Sequence, residues 1–335
     1  MRKLLFILGL GLLLGCEEKA EQLLLLQGNA FGTTYSIQYY SQKEFDAQKG
    51  IDSVFAAVNK SVSTYIPDSD ISKINQGDST VVIDAIFKEV FLLSEKIHQQ
   101  SQGYFDPTVG VLRNAYGFGD TKPLQKLDSL TLDSLRQYVG FSKVKLTAEG
   151  TIQKQFSEIY FDFNAVAKGY GIDCLGRYLE SQGVANYLIE LGGELRSKGQ
   201  HLEKQKSWVV GIETIDSKLE NRSYSHTVTI ENEGMASSGN YRKFRIDSLT
   251  GKKYVHTINP LTGEAEESNV TSATVLAKTC AEADAYATAF MAMGLEKSQQ
   301  LLSVLEGVEA YLTYIDANHQ SQVFVTEGFQ KKLLD

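Results

Sequence analysis

The sequence predicts an α+β fold of mixed, mainly antiparallel sheets with flanking helices. Three observations predict it. Several short stretches alternate apolar and polar residues with the period of a strand. Others place apolar residues three and four apart, as one face of a helix does. The two kinds do not follow one another in the regular strand–helix order of a doubly wound nucleotide domain, and the glycines at 169, 171 and 176 miss the G-x-G-x-x-G spacing that such a domain carries.

Taken in order, Met1-Arg2-Lys3 is a basic start and Leu4 to Leu14 an apolar run of signal-peptide length. The run is too short to span a bilayer as a helix, which needs roughly 20 residues. Leu13-Leu14-Gly15-Cys16 has the form of a bacterial lipobox, so Cys16 is the expected lipidation site and mature N-terminus, with a plain signal peptide and an incidental cysteine as the alternative. Residues 1–15 thus read as a lipoprotein signal peptide, 16–27 as a tether and 28–335 as the folded domain, open to division into two subdomains. Acyl chains anchor by burying CH₂ groups at about 0.8 kcal/mol each. The expected location is the extracytoplasmic (periplasmic) face of a bacterial membrane; inner or outer membrane is left open.

Tyr35 to Tyr40 alternates as a strand, and Ile51, Val54, Phe55, Val58 and Val62 recur as a helix over 51–62. Phe87, Val90, Phe91 and Ile97 mark a second helix, ended by Gly103. Residues 143–147 and 151–154 flank Ala148-Glu149-Gly150 as a hairpin. Residues 158–163 (EIYFDF) read as a strand that enters Lys168-Gly169-Tyr170-Gly171 and then a helix to about Gln182. Further strands are expected at 187–191, 208–213, 226–231, 272–277, 310–315 and 322–326. An alanine-rich helix, Glu282 to Met293, ends at Gly294.

Composition narrows the function. The 335 residues are 42% hydrophobic and 22% charged, enough for a real core. Net charge is −8, and loss of Arg2 and Lys3 would make the remainder more acidic still, which argues against a nucleic-acid backbone as partner. The five histidines are scattered and no Cys-x-x-Cys exists, which argues against zinc. Cys174 and Cys280 read as free thiols, although spacing alone leaves a disulfide open.

Four constellations carry chemistry. Asp284 and Thr288 lie one turn apart on one helix face among alanines, a carboxylate and a hydroxyl suited to Mg²⁺; the same spacing also suits an aspartate near a helix start and a threonine folded back on the backbone. Phe161 to Gly171 is a strand end feeding a small-residue turn with Lys168, then a helix, a place for phosphate or merely a strand–helix connection. Met235 to Arg242, followed by Tyr254 to Gly263, gathers hydroxyls, Arg242 and His256 at turns, with His256 a general base or a loop cap. Ser63 to Asp70 and Gly103 to Pro107 are aromatic-plus-acid turns that suit stacking on a planar ring or simple packing. Together they suggest a nucleotide-diphosphate substrate.

These stretches also carry a resemblance. FGTTYSI (31–37), STYIPDSDISKIN (63–75), GYFDPTVGVL (103–112), YGFG (116–119) and FDFNAVAKGYGID (161–173) follow in order. YLIELGGELRSKG (187–199), WVVGIE (208–213), ASSGNYRKF (236–244), YVHTINPLTG (254–263) and ADAYATAFMAMG (283–294) complete the series. The chain resembles the ApbE family, the FAD:protein FMN transferases. The resemblance implies an ApbE-like, T-fold-like architecture and Mg²⁺ held by the Ala165 carbonyl, Asp284 and Thr288. It implies contacts to FAD, the substrate, from Phe31, Tyr65, Tyr104, Phe105, Asp106, Asp162, Lys168 and Ile258, with His256 as the base that takes the proton of an acceptor threonine. Phe31 departs from the methionine usual there, and Asn259 stands where aspartate is common. The implied partner is an extracytoplasmic redox-complex subunit with a Ser/Thr-Gly-Ala-Thr-like motif, which this chain itself lacks. An FAD pyrophosphatase giving FMN and AMP, or a non-enzymatic FAD-binding lipoprotein, are the alternatives.

Overall fold

The structure, a computed structural model, describes residues 21–124, 126–214, 223–240, 244–246, 251–265 and 267–334. Residues 1–20, with the signal peptide and Cys16, and Tyr241 to Lys243, with Arg242, lie outside the described residues.

The chain opens as a hairpin, β1 (Gln22–Ala30) and β2 (Thr33–Ser41), and continues through α1 (Ala47–Val62), α2 (Asp70–Asn75), α3 (Ala85–Gln100), α4 (Gly110–Tyr116) and α5 (Ser129–Arg136). Helix starts follow local chemistry: the Asp46, Ser69 and Asp84 side chains accept from Lys49, Ser72 and Phe87 amides, satisfying donors that a first turn leaves free. A small hairpin, β3 (Val144–Leu146) and β4 (Ile152–Lys154), precedes α6 (Ala167–Ser181). Then come β5 (Tyr187–Leu191), β6 (Glu194–Lys198), β7 (Trp208–Glu213), β8 (Tyr224–Ile230), β9 (Gly234–Gly239), β10 (Phe244–Ile246), β11 (Lys253–Val255) and β12 (Val270–Ala277). The last part is α7 (Cys280–Met293), α8 (Leu295–Leu302), β13 (Glu309–Ile315), β14 (Ser321–Val325) and α9 (Glu327–Gln330).

One eight-stranded sheet, in the order β1-β2-β5-β6-β9-β12-β13-β14, organises the molecule, and every pairing in it is antiparallel. Alternation along the strands sends side chains to two covered faces. Tyr35, Ile37, Tyr39, Tyr187 and Ile189 meet Ile51 and Phe55 of α1 and Leu175 and Leu179 of α6. On the other face, Tyr40, Leu188, Leu195, Met235 and Leu276 meet the β7–β8 hairpin and Phe329 of α9. The α+β expectation holds. Helix α7 is apolar nearly all round, as a helix buried on every side must be, and packs on β9, β12 and α6. Among the described residues no helix is long and apolar enough to cross a membrane.

Two expectations need correction. Residues 22–27 belong to β1, paired with β2, rather than to a tether; their run of leucines lacks the alternation that marks a strand, and pairing at a sheet edge supplies the order. Residues 158–163 are irregular. Ile159, Phe161 and Phe163 alternate and are buried, but the backbone bonds elsewhere. The Asn75 side chain takes both the amide and the carbonyl of Phe161 (2.7 and 2.9 Å), the Asp162 amide donates to the Pro107 carbonyl, and Tyr160 makes only a single parallel bridge to Val109. The Lys154 amine donates to the carbonyls of Ile74, Ser157 and Ile159, pinning the same segment. Strands β6, β9, β10 and β11 and the short helices α2, α4, α5, α8 and α9 are not among the expected elements.

Candidate functional site

The irregular segment delivers the chain to the start of α6. Asp162 Oδ1 accepts the Asn164 amide (2.8 Å), an aspartate turn that aims the backbone toward Ala165. The other Asp162 oxygen pairs with the Arg113 guanidinium, which also donates to the Phe118 carbonyl. Burial disfavours charge on Arg113, but Asp162 and the Tyr65 phenol more than offset it, and its pKa is raised.

Where α6 begins, it crosses α7 closely. Gly169 lies so near Cys280 that a Cβ there would stand 2.4 Å from the Cys280 carbonyl oxygen, so only glycine permits the crossing. Asp173, one turn on, is buried and accepts the Cys280 and Ala281 amides (3.0 and 2.9 Å), joining the start of α7 to α6, with Arg196 as its counter-ion. This crossing puts Asp284 under the α6 turn: Asp284 Oδ2 accepts the Gly169 amide at 3.1 Å. In a helix begun one residue earlier that amide would serve the Ala165 carbonyl. Thr288 lies one turn along the same face of α7, half-buried.

Lys168 forms a close ion pair with Glu194, the first residue of β6. The two-residue turn Gly192-Gly193 before it has φ of +62° and +106°, which glycine adopts freely, and leaves room for the Lys168 ammonium beside bare backbone. Burial pushes the carboxyls of both Glu194 and Asp284 above the usual range, Lys168 pulls each back, and a neighbouring carboxylate adds to the push, Asp284 on Glu194 and Asp173 on Asp284. Two buried carboxylates therefore share one ammonium. A buried carboxylate with the Thr288 hydroxyl one turn along the same helix face is hard-oxygen chemistry of the kind a divalent cation such as Mg²⁺ takes. Among the described residues no group of three or more His, Cys, Asp or Glu side chains is placed to hold a metal ion.

The other expected residues are spread over several places. A cleft of about 520 Å³ opens between Tyr65, Thr64, Tyr160 and Asp120. Tyr65 is 60% exposed, its phenol beside the Arg113 guanidinium, and Asp162, paired with that same guanidinium, is buried. Tyr104 is half-buried, with the Lys297 ammonium 5.5 Å from its ring centre. Phe105 is core, its ring buried. Asp106 accepts the Thr108 amide and hydroxyl within its own loop and, across the chain, the Phe141 amide, with His98 Nδ1 3.4 Å away. Asp106 lines a second cavity of about 360 Å³, with His98, Gly103 and Leu261. Phe31 tops the β1–β2 turn at φ +50°, an unusual conformation for a bulky residue, edge-on to Phe55 and over Gly171 of α6. His256 follows β11, half-buried, and Ile258 is buried against Leu112, Tyr116 and Tyr254. The Asn259 side chain accepts the Leu261 amide and shapes the next turn, a role that needs no carboxylate. Cys174 and Cys280 are both free thiols. Residue reasoning had passed over Glu194, Arg113 and Asp173; a charged residue at an inward strand position directly after Gly-Gly was the visible signal for Glu194.

The ApbE family model matches residues 31–312. An FAD:protein FMN transferase of Vibrio cholerae serotype O1 is 36% identical over 294 residues, covering 85% of this chain and 86% of its own length. One of Haemophilus influenzae is 32% identical over 316 residues, covering 90% of each. The solved structure of the flavin transferase ApbE from Vibrio cholerae superposes with a TM-score of 0.82 at 29% identity, over 93% of this chain and all of that one.

Proposed function

The chain belongs to the ApbE family, and from that premise we propose that it is an FAD:protein FMN transferase that moves FMN from FAD to a threonine hydroxyl of an acceptor flavoprotein, with Mg²⁺, releasing AMP. The observation that carries this reading is the Gly169–Asp284 bond, which sets a cation-type carboxylate directly beneath a phosphate-type turn.

Ala165, Asp284 and Thr288 would hold Mg²⁺, which when bound supplies charge neutralisation at the diphosphate. The chain's own groups do the rest. Lys168, kept charged by Glu194, faces the phosphates as a fixed cation. Tyr65 offers a stacking surface at the cleft, and Phe31 an apolar wall over the start of α6. His256 takes the proton of the acceptor hydroxyl. The threonine oxygen bonds to the FMN-side phosphorus as the bond from that phosphorus to the bridging oxygen breaks, and AMP leaves with the electron pair. Cys16 carries the lipid that holds the enzyme on the extracytoplasmic face, near an acceptor with a Ser/Thr-Gly-Ala-Thr-like motif.

The test is intact mass of such an acceptor domain after incubation with the protein, FAD and Mg²⁺. The expected product carries FMN in phosphoester linkage, and EDTA abolishes it. AMP released at the same rate without acceptor, with no mass gain when acceptor is present, would refute transfer and leave hydrolysis.

A further inference from the structure

Strand β9 ends at Gly239, and the next residue, Asn240, is only 3% exposed. Its Oδ1 accepts the Thr257 hydroxyl at 3.0 Å, and its Nδ2 has no hydrogen-bond partner among the described residues. Whichever way the carboxamide is turned, one of its polar ends stays unspent. A buried polar group left unpaired is costly, and an apolar residue of the same shape would avoid that cost. Packing therefore does not account for an amide here. The bond it does make goes to Thr257, itself buried, between His256 and Ile258.

That segment is tied at both ends by backbone bonds: the Val255 amide to the Ala265 carbonyl and the Asn259 amide to the Glu264 carbonyl, each 2.9 Å. Asn240 ties its middle. The anchor is also the right one. Strand β9 pairs with β6, whose first residue is Glu194, and with β12, which leads into α7 and Asp284. A bond from the end of β9 to Thr257 thus fixes the histidine segment relative to the strand and helix that carry the charged cluster.

We propose that Asn240 is a positioning residue of the transfer reaction, acting through Thr257 to set His256 against the phosphorus. This rests on the reading of His256 as the base. Small displacements of a reacting group lower the rate steeply, by up to about 10²-fold for 1 Å, without loosening substrate binding.

The experiment is steady-state FMN transfer from FAD to an acceptor domain, with Mg²⁺, by Asn240→Leu, Thr257→Val, the double variant and Asn240→Asp. Each apolar variant should lose about tenfold in kcat with KM for FAD within about twofold of wild type. The double variant should lose no more than either single one, because both remove the same bond. Asn240→Asp keeps an acceptor for the Thr257 hydroxyl and should recover kcat to within about threefold. Full kcat in folded Thr257→Val, additive losses, or a rise in KM at unchanged kcat would each overturn the proposal. Thr257→Val removes one hydroxyl and carries the test if Asn240→Leu does not fold. His256→Ala runs alongside: near wild-type transfer there overturns the histidine reading and this proposal together, whereas an inactive His256→Ala beside a fully active Thr257→Val overturns this proposal alone.

Discussion

Replacing Asp284 with asparagine separates the charge of this residue from its hydrogen bond. The amide keeps the shape and an oxygen for the Gly169 amide, now 3.1 Å away. What is lost is one negative charge. Asp284 and Glu194 share the single ammonium of Lys168, and burial, more than any neighbouring charge, pushes both carboxyls up. Asparagine leaves Glu194 and Lys168 paired one to one. Exchanging a charged for a neutral hydrogen bond costs about 1 kcal/mol. Removing an excess buried charge returns more, up to several kcal/mol per ion. The metal-free variant should therefore be more stable than wild type by about 1–2 kcal/mol, a rise of roughly 2–4 °C in Tm per kcal/mol. The pH dependence has a definite sign. The folded-state pKa of Asp284 lies above its unfolded value, so its contribution to stability is complete below about pH 3.9 and is lost as pH rises through the folded value. The advantage of the variant is absent near pH 4 and opens toward neutrality. Mg²⁺ reverses the order, because a ligand of the native state alone stabilises wild type by about 2.7 kcal/mol at a hundredfold excess over Kd. Urea melts across this pH range with and without Mg²⁺, beside transfer rates expected to fall at least about 100-fold, make the assay. A variant destabilised by more than about 2 kcal/mol without Mg²⁺, yet transferring FMN normally, would make Asp284 a structural acceptor and refute the reasoning.

Glu194→Gln also leaves one carboxylate for one ammonium but gives up the close Lys168–Glu194 pair, so metal-free stability should stay within about 1 kcal/mol of wild type while the Mg²⁺ needed for half-maximal transfer rises about tenfold, and a superimposable Mg²⁺ titration would sink the idea. Phe31→Asn relieves a bulky residue at φ +50° by about 1 kcal/mol but loses a similar amount of contact with Phe55, so urea melts should stay within about 1 kcal/mol while KM for FAD rises several-fold; an unchanged KM would deny Phe31 a place at the substrate. Lys154→Met strips three carbonyls of a charged donor and should cost about 2–4 kcal/mol, with hydrogen exchange accelerating first at Phe161 and Asp162; unchanged exchange would mean that Asn75 alone holds the segment.

Much of the fold was legible because its signals are local. Helices α1, α3, α6 and α7 and strands β2, β5, β7, β12, β13 and β14 show their period within a few residues. Strand β9 (Gly234–Gly239) escaped because small residues carry no alternation, and β1 because its edge needs no buried stripe. The segment 158–163 misled for a definite reason. Alternation reports which side chains are buried, whereas a strand is defined by where the backbone hydrogen bonds go, and here they go to Asn75, Lys154 and the Pro107 carbonyl.

The site divides along the same line. Residue order alone settled that Asp284 and Thr288 share a helix face and that Lys168 opens a helix after small residues, since both depend on neighbours within one turn. Only the folded chain decided that Gly169 would spend its amide on Asp284, that Glu194 would arrive from another strand to hold Lys168, that Phe105 would join the main core and that Asp106 would accept the Phe141 amide. Those outcomes are pairings between segments up to 115 residues apart. They are set by which surfaces must be buried together and by the charge that burial then forces to find a partner.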